Sequence, residues 1–316
     1  MKKQIIAAAV AASMSAVALA DVSITGATKV NWTSTDGSSG VENEISTEMD
    51  LNVVGKVGDT AVHMNFESTE SSNLETKNSY LTTNVGGVAV KAGTWYTGDS
   101  NLNNAGEQNE RVSLTSDMGP LSVNFQHEAG AASGDHNEVT VKAAIGGINV
   151  SYEIENTDDH KILGLSGDIS GVKFAYTDSD SDATSGADEE SGYSLTTDIA
   201  GMTVTYQHME STKGTTSDGF FGTWAGTSGA AAGAADAAKL KEASGFGITT
   251  SLAGNTAHVR NYENKTSSAQ DGSVDSTKRD TKVIVTRKLA SGATAEVTYR
   301  TGDSANQLDV ELTVAF

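Results

Sequence analysis

The sequence predicts an all-β fold, a transmembrane antiparallel β-barrel of 18 strands. Three observations carry that expectation. Apolar residues recur at every second position, the alternating tracts come in pairs across tight glycine turns, and the chain stops on an aromatic ring at Phe316. Period-two alternation marks a strand with one oily face and one wet face. The last stretch shows it best: Leu308, Val310, Leu312, Val314 and Phe316 alternate with Asp309, Glu311 and Thr313. Soluble domains seldom end on their greasiest residue, because termini fray into water.

The elements follow in order. Lys2 and Lys3 precede an apolar run from Ile5 to Leu19, and Ala18-Leu19-Ala20 is an A-x-A cleavage site before Asp21. Residues 1–20 therefore read as a secretory signal peptide. The run is short of the roughly 20 apolar residues of a spanning helix. Residues 21–316 form one barrel domain. A first strand carries Val22, Ile24, Val30 and Trp32. Eight hairpins follow: Leu51 to Val62, Leu81 to Val88, Val112 to Leu121, Ile145 to Ile148, Leu165 to Val172, Leu195 to Met202, Ile248 to Ala257 and Val285 to Ala295. Glycine in each turn permits the positive φ that tight hairpins need. With the closing strand the count is 18.

The other connections are polar: Thr33–Val41, Gly98–Gln108, Asp178–Glu190, Met209–Ala243 and Lys265–Lys278. Short turns at one end and long loops at the other are the asymmetry of an outer-membrane barrel. Gly229–Ala243, rich in alanine, reads as a short helix or mobile segment inside the long outer loop 209–243.

Composition agrees. One proline, Pro120, suits an unbroken ladder, and the absence of cysteine means no disulfide framework. Losing Lys2 and Lys3 with the leader takes the formal charge from −20 to −22. Such a chain does not bind nucleic acid, whose phosphates demand basic surface; it attracts cations. Enzyme signatures (His-Glu-x-x-His, G-x-S-x-G, a P-loop) are absent, and no cofactor is expected. A soluble β-sandwich would alternate too. However, Trp32, Phe125, Tyr152, Tyr176, Tyr193, Tyr206 and Tyr299 share the apolar phase, where membrane girdles sit.

If the apolar phase meets lipid, the opposite phase lines water. Lys29, Glu44, Glu48, Asp50, His63, Glu67, Lys91, Arg111, Lys142, Glu153, Lys173, Arg260, Lys282, Glu296, Arg300, Asp309 and Glu311 then point inward. A lumen lined by both signs focuses ions and orients dipolar solutes. Asp178, Asp180, Asp182 and Glu189 occupy positions 1, 3, 5 and 12 of an EF-hand-like loop, but Ala183 stands where glycine is required. A solvated acidic loop is the preferred reading, with a weak Ca²⁺ site as the alternative.

The A-x-A signal, the first strand Asp21-Val-Ser-Ile-Thr-Gly26, the segment Asn78-Ser-Tyr-Leu-Thr-Thr-Asn-Val-Gly-Gly-Val-Ala-Val-Lys-Ala-Gly93 and the terminal aromatic together resemble the Gram-negative general porins of the neisserial type. That resemblance implies a passive, water-filled channel in the outer membrane, a homotrimer of barrels with 16 strands, contact with lipid and lipopolysaccharide, and Phe316 as part of the signal read by the barrel assembly machinery. The hairpin count departs from 16. The resemblance also implies an infolded third loop, here residues 96–110, with Asp99, Glu107 and Glu110 facing Lys91, Arg111, Arg260 and Arg300 across a constriction. Small hydrophilic solutes and ions, with cations preferred, are the expected cargo. A surface-exposed structural or adhesive β protein is the alternative.

Overall fold

The structure is a computed structural model, and it describes residues 21–37, 40–69, 74–98, 106–131, 134–156, 161–181, 188–215, 239–267, 276–303 and 306–316. The leader, Asp99, Asp182 and the alanine-rich stretch up to residue 238 lie outside them. The strands are β1 Asp21–Gly37, β2 Gly40–Val57, β3 Thr60–Thr69, β4 Glu75–Val85, β5 Val88–Gly98, β6 Gly106–Met118, β7 Leu121–Ala131, β8 Gly134–Ile145 and β9 Ile148–Glu155. They continue with β10 Lys161–Ile169, β11 Val172–Ser181, β12 Asp188–Ile199, β13 Met202–Thr215, β14 Lys239–Leu252, β15 Asn255–Ser267, β16 Ser276–Lys288, β17 Thr294–Gly302 and β18 Asn306–Ala315. Among the described residues no helix is long and apolar enough to cross a membrane.

Each strand pairs antiparallel with the next, and β18 returns to pair with β1 from Ala27↔Ala315 to Asp36↔Asn306. The sheet is therefore a closed ring of 18, without the unpaired edges that an open sheet exposes. Eighteen, not the 16 implied by the family resemblance, is the strand number.

The turns at one end are tight because their residues accept left-handed backbone. Gly86 and Gly87 sit at φ 62° and 90°, and Ala200 and Gly201 at 52° and 78°. Positive φ at both central residues matches the right-handed twist of the flanking strands.

Cross-strand partners share a face, so the ladder sorts every side chain to one of two surfaces. One surface carries Trp32, Phe125, Tyr152, Tyr193, Tyr206, Phe246, Tyr299, Val310, Leu312 and Val314, a continuous apolar belt open to the surroundings. The other carries the charged residues that alternation assigns to the interior. Departures from that sorting include Trp95, Ile162, Met209 and Tyr262, which face inward and are buried.

The strands run farther than the apolar tracts. Tyr96–Gly98 pairs with Gly106–Gln108, so the expected loop 96–110 shrinks to residues 99–105. Met209–Thr215 and Lys239–Ala243 are ladder as well, leaving 216–238 of the expected loop 209–243. Lys239–Ala243 is strand, not the C-terminal part of a helix: Glu242 partners Lys265 and Ala243 partners Met209. Two hydrogen-bonded neighbours override alanine's helix preference.

Candidate functional site

Three adjacent strands place three cations in one row on the inner wall. Arg260 of β15 partners Lys282 of β16, and Lys282 partners Arg300 of β17. Gly247 ends the row on the β14 side and Gln307 on the β18 side. Directly opposed residues stand about 5 Å apart, so like charges repel unless water or acids screen them. Acids do flank the row. Glu296 and Glu311 partner each other on its short-turn side, and Asp280 lies on its loop side. Thr286 Oγ1 donates to Glu296 at 3.0 Å, and Gln307 Nε2 donates to both oxygens of Asp309 at 3.0 and 3.1 Å.

His258 holds Arg260 in place. Arg260 Nε donates to His258 Nε2, while His258 Nδ1 lies 2.5 Å from Thr249 Oγ1. A guanidinium can only donate, so Nε2 must accept and the ring proton must sit on Nδ1. Loop-ward along the same face of β15 come Tyr262, 3% exposed, and Asn264. Among the described residues the Tyr262 hydroxyl and the Asn264 carboxamide oxygen are buried with no hydrogen-bond partner. Buried polar groups without partners are costly, which marks this wall as a polar surface awaiting contacts.

The opposite wall is acidic. In a ring of 18, β7 stands 16 − 7 = 9 places from β16. Glu128 of β7 meets Arg111 of β6 at 2.5 Å, with side chains only 2% and 4% exposed. Arg111 Nη1 also donates to the Trp95 carbonyl at 3.1 Å, and Asn109 Nδ2 donates to Glu128. Gln126 and Thr140 donate to Glu138 at 3.1 and 2.9 Å, and Thr140 also reaches Glu153 at 3.3 Å. Glu138 and Glu155 are ladder partners.

Between the walls, Lys91 points between two rings, its Nζ 4.1 Å from the Tyr80 centroid and 4.2 Å from that of Trp95. His63 stacks on Tyr80 at 4.7 Å. On β1 to β4, Lys29 bonds Glu48 at 2.6 Å and Asp50 at 3.3 Å, while Lys77 lies 3.4 Å from Glu67. Carboxylate oxygens of Glu48, Asp50 and Glu67 gather within 4.8 Å of one another.

The residues proposed from sequence thus divide. Arg260 and Arg300 share one row. Arg111 faces inward, but Glu128 neutralises it. Lys91 faces inward between aromatic rings. Glu107 occupies β6 opposite Thr97 in the ladder, in the same backbone phase as Arg111. Glu110 does not belong: Arg111 faces inward, so its strand neighbour must face outward, in the phase of Val112 and Leu114. Of the calcium candidates, Asp178 and Asp180 are β11 residues and Glu189 is a β12 residue laddered to Asp180, while Asp182 lies outside the described residues.

Glu128, Tyr80, Trp95 and His258 were not singled out. Parity counted along β5 from Lys91 reaches Trp95. Glu128 lies past the apolar tract of β7, where alternation gives no guide.

Phe316 closes the ring. Its backbone exchanges two 2.9 Å hydrogen bonds with Gly26. Its ring lies against Gly26, where a β-carbon would stand 2.6 Å from Phe316 Cζ.

No family model and no curated protein matches the chain. Solved structures do. OccK2 (OpdF) of Pseudomonas aeruginosa, in complex with glucuronate, aligns with TM-score 0.70 and 10% identity over 94% of this chain and 96% of its own. The fold is a porin barrel. A BenF-like porin from Pseudomonas fluorescens Pf-5 gives 0.66 at 11% identity over 94% and 99%, and OccAB2 of Acinetobacter baumannii 0.66 at 10% over 94% and 98%. At these identities the likeness is one of fold.

Proposed function

We propose that the chain is a porin of a Gram-negative outer membrane, a water-filled channel for passive diffusion of small hydrophilic solutes and ions. The observation that carries it is the closed ring with its apolar phase outside and charged phase inside. Charges at mid-bilayer on the lipid face cost about 2–4 kcal/mol each, so this sorting has a physical purpose only if lipid lies outside and water inside. Purified protein in a planar bilayer should give discrete conductance steps; an adhesive or structural barrel would give none.

The formal charge of −20 favours cations as the more permeant ions. Reversal potential under a KCl gradient tests this, and an anion-selective sign refutes it. The row Arg260–Lys282–Arg300 favours a further solute preference, for molecules carrying a carboxylate, since guanidinium groups bind carboxylates in a fixed fork. OccK2, which shares the fold, was solved with glucuronate, a sugar acid. A trimeric state, contact with lipopolysaccharide, and assembly through the strand ending at Phe316 belong to the same reading. Mobility of the unheated protein on a native gel tests the trimer.

A further inference from the structure

The inner wall beside the short turns carries a cavity of about 320 Å³ across β7 to β10, whose lumen-facing lining includes Pro120, Ser122, Lys142, Asn149, Ser151 and Ser166. Ladder partners put Ser122 on one side of Lys142 and Ser151 on the other, with Asn149 opposite Ser166. The lining contains no acid. Asp117, across the ladder from Ser122, and Asp168, beyond Ser166 on β10, are neighbouring inward acids outside it. Among the described residues Lys142 makes no ion pair.

Lys173 and Lys282, also inward, share that condition among the described residues, whereas other inward cations are engaged. Lys29, Lys77 and Arg111 each hold a carboxylate, and Lys91 lies between two rings. An ammonium is a compact charge with three donors, and serine hydroxyls and the asparagine amide add neutral donors around it. Such a set, without competing carboxylates, satisfies a small oxyanion from several directions. The basic row on β15 to β17 lies on the other side of the ring.

We propose that this cavity is a seat for a small oxyanion of phosphate or carboxylate class, with Lys142 as its counter-charge and Ser122, Ser151, Asn149 and Ser166 as its hydrogen-bond donors. The proposal rests on the porin reading, because the anion must reach the cavity through an aqueous lumen. Its position next to the short turns gives the site a side: an anion arriving from that end meets it first.

The test is single-channel current in KCl with inorganic phosphate added to one side at a time. Phosphate should reduce the current more strongly from one side than from the other. Lys142→Gln should raise the half-blocking concentration by about tenfold, the loss of one charge-assisted hydrogen bond. Lys142→Arg should retain the block, and Lys288→Gln, at the short-turn end of β16, should leave it within about twofold, which separates this seat from general positive charge at that end. Acetate in place of phosphate tells whether the seat prefers a tetrahedral or a planar oxyanion. An unchanged block in Lys142→Gln overturns the proposal, as does a wild-type channel that conducts normally and ignores phosphate. A protein without conductance steps would instead refute the porin reading itself.

Discussion

Replacing Gly26 by alanine places a methyl group where the last strand meets the first. The new carbon would stand 2.6 Å from Phe316 Cζ, 2.9 Å from Phe316 Cε2 and 2.6 Å from the Asp50 carbonyl oxygen. All are inside van der Waals contact, and the Asp50 oxygen belongs to backbone that cannot rotate away. Forcing an extra methyl into a packed site costs about 1–3 kcal/mol. The two clashes respond differently to a second change. Phe316→Ala removes the ring and its part of the overlap, but leaves the Asp50 oxygen in place. Because Phe316 is 64% exposed, its own truncation should cost less than a core phenylalanine would.

The assay is urea unfolding of the barrel refolded into lipid vesicles, read by tryptophan fluorescence and by the mobility of unheated protein on a gel. Gly26→Ala should lower the midpoint, and the double variant should be more stable than the sum of the two singles predicts. Residues in contact show coupling of about 0.5–3 kcal/mol, whereas independent sites add within about 0.3–0.5 kcal/mol. Additivity within that limit would refute the claim that the ring seats on Gly26.

Glu128→Gln strands the buried Arg111 guanidinium; breaking such a pair costs about 3–5 kcal/mol, so the same urea assay should show a larger drop than Gly26→Ala. Arg111→Met with Glu128→Leu should recover much of that loss, since an apolar replacement of a buried pair is often neutral. Glu110→Gln should leave reversal potential unchanged, because Glu110 faces away from the lumen. Acidification should weaken cation preference: a proton on His258 Nε2 removes the acceptor of Arg260 and adds a charge beside the row. His258→Asn should abolish that part of the pH dependence.

Alternation was enough to count the strands, because a one-residue shift in phase would turn every apolar side chain inward. It failed where the membrane ends. Asn43, Glu44 and Glu42 ladder with Ser34, Thr33 and Thr35, and Glu210 ladders with Glu242, with polar side chains on both faces. Past the hydrocarbon both surfaces are wet, so the hydrogen-bond ladder continues while its sequence signal vanishes. Of these, Thr33–Thr35, Glu210 and Glu242 fall in segments that the sequence reading assigns to loops. Site residues fared by the same rule. Lys91, Arg260 and Arg300 lie within alternating tracts, and the ladder gives them the inward phase that alternation predicts. Glu110 was assigned to the lumen as a loop residue, although counting one step from Arg111 excludes it. The row of three cations was not legible, because register across β15, β16 and β17 depends on turn length as well as on pattern.

Net charge and charge placement act on different solutes, and the inner wall allows them to be separated. An acidic lumen concentrates cations whatever the arrangement of its charges, because the potential sums over all of them. A field across the pore needs opposed walls, and here Arg260, Lys282 and Arg300 stand opposite Glu128, Glu138 and Glu153. Exchanging Lys282→Glu with Glu138→Lys conserves the sum while weakening the opposition. Reversal potential in KCl should therefore hold nearly constant. Block by glucuronate should weaken, by up to about tenfold if one charged contact is lost. A large change in reversal potential with unaltered glucuronate block would mean that Lys282 acts only as one more charge in the total, and the orienting role of the row would fall.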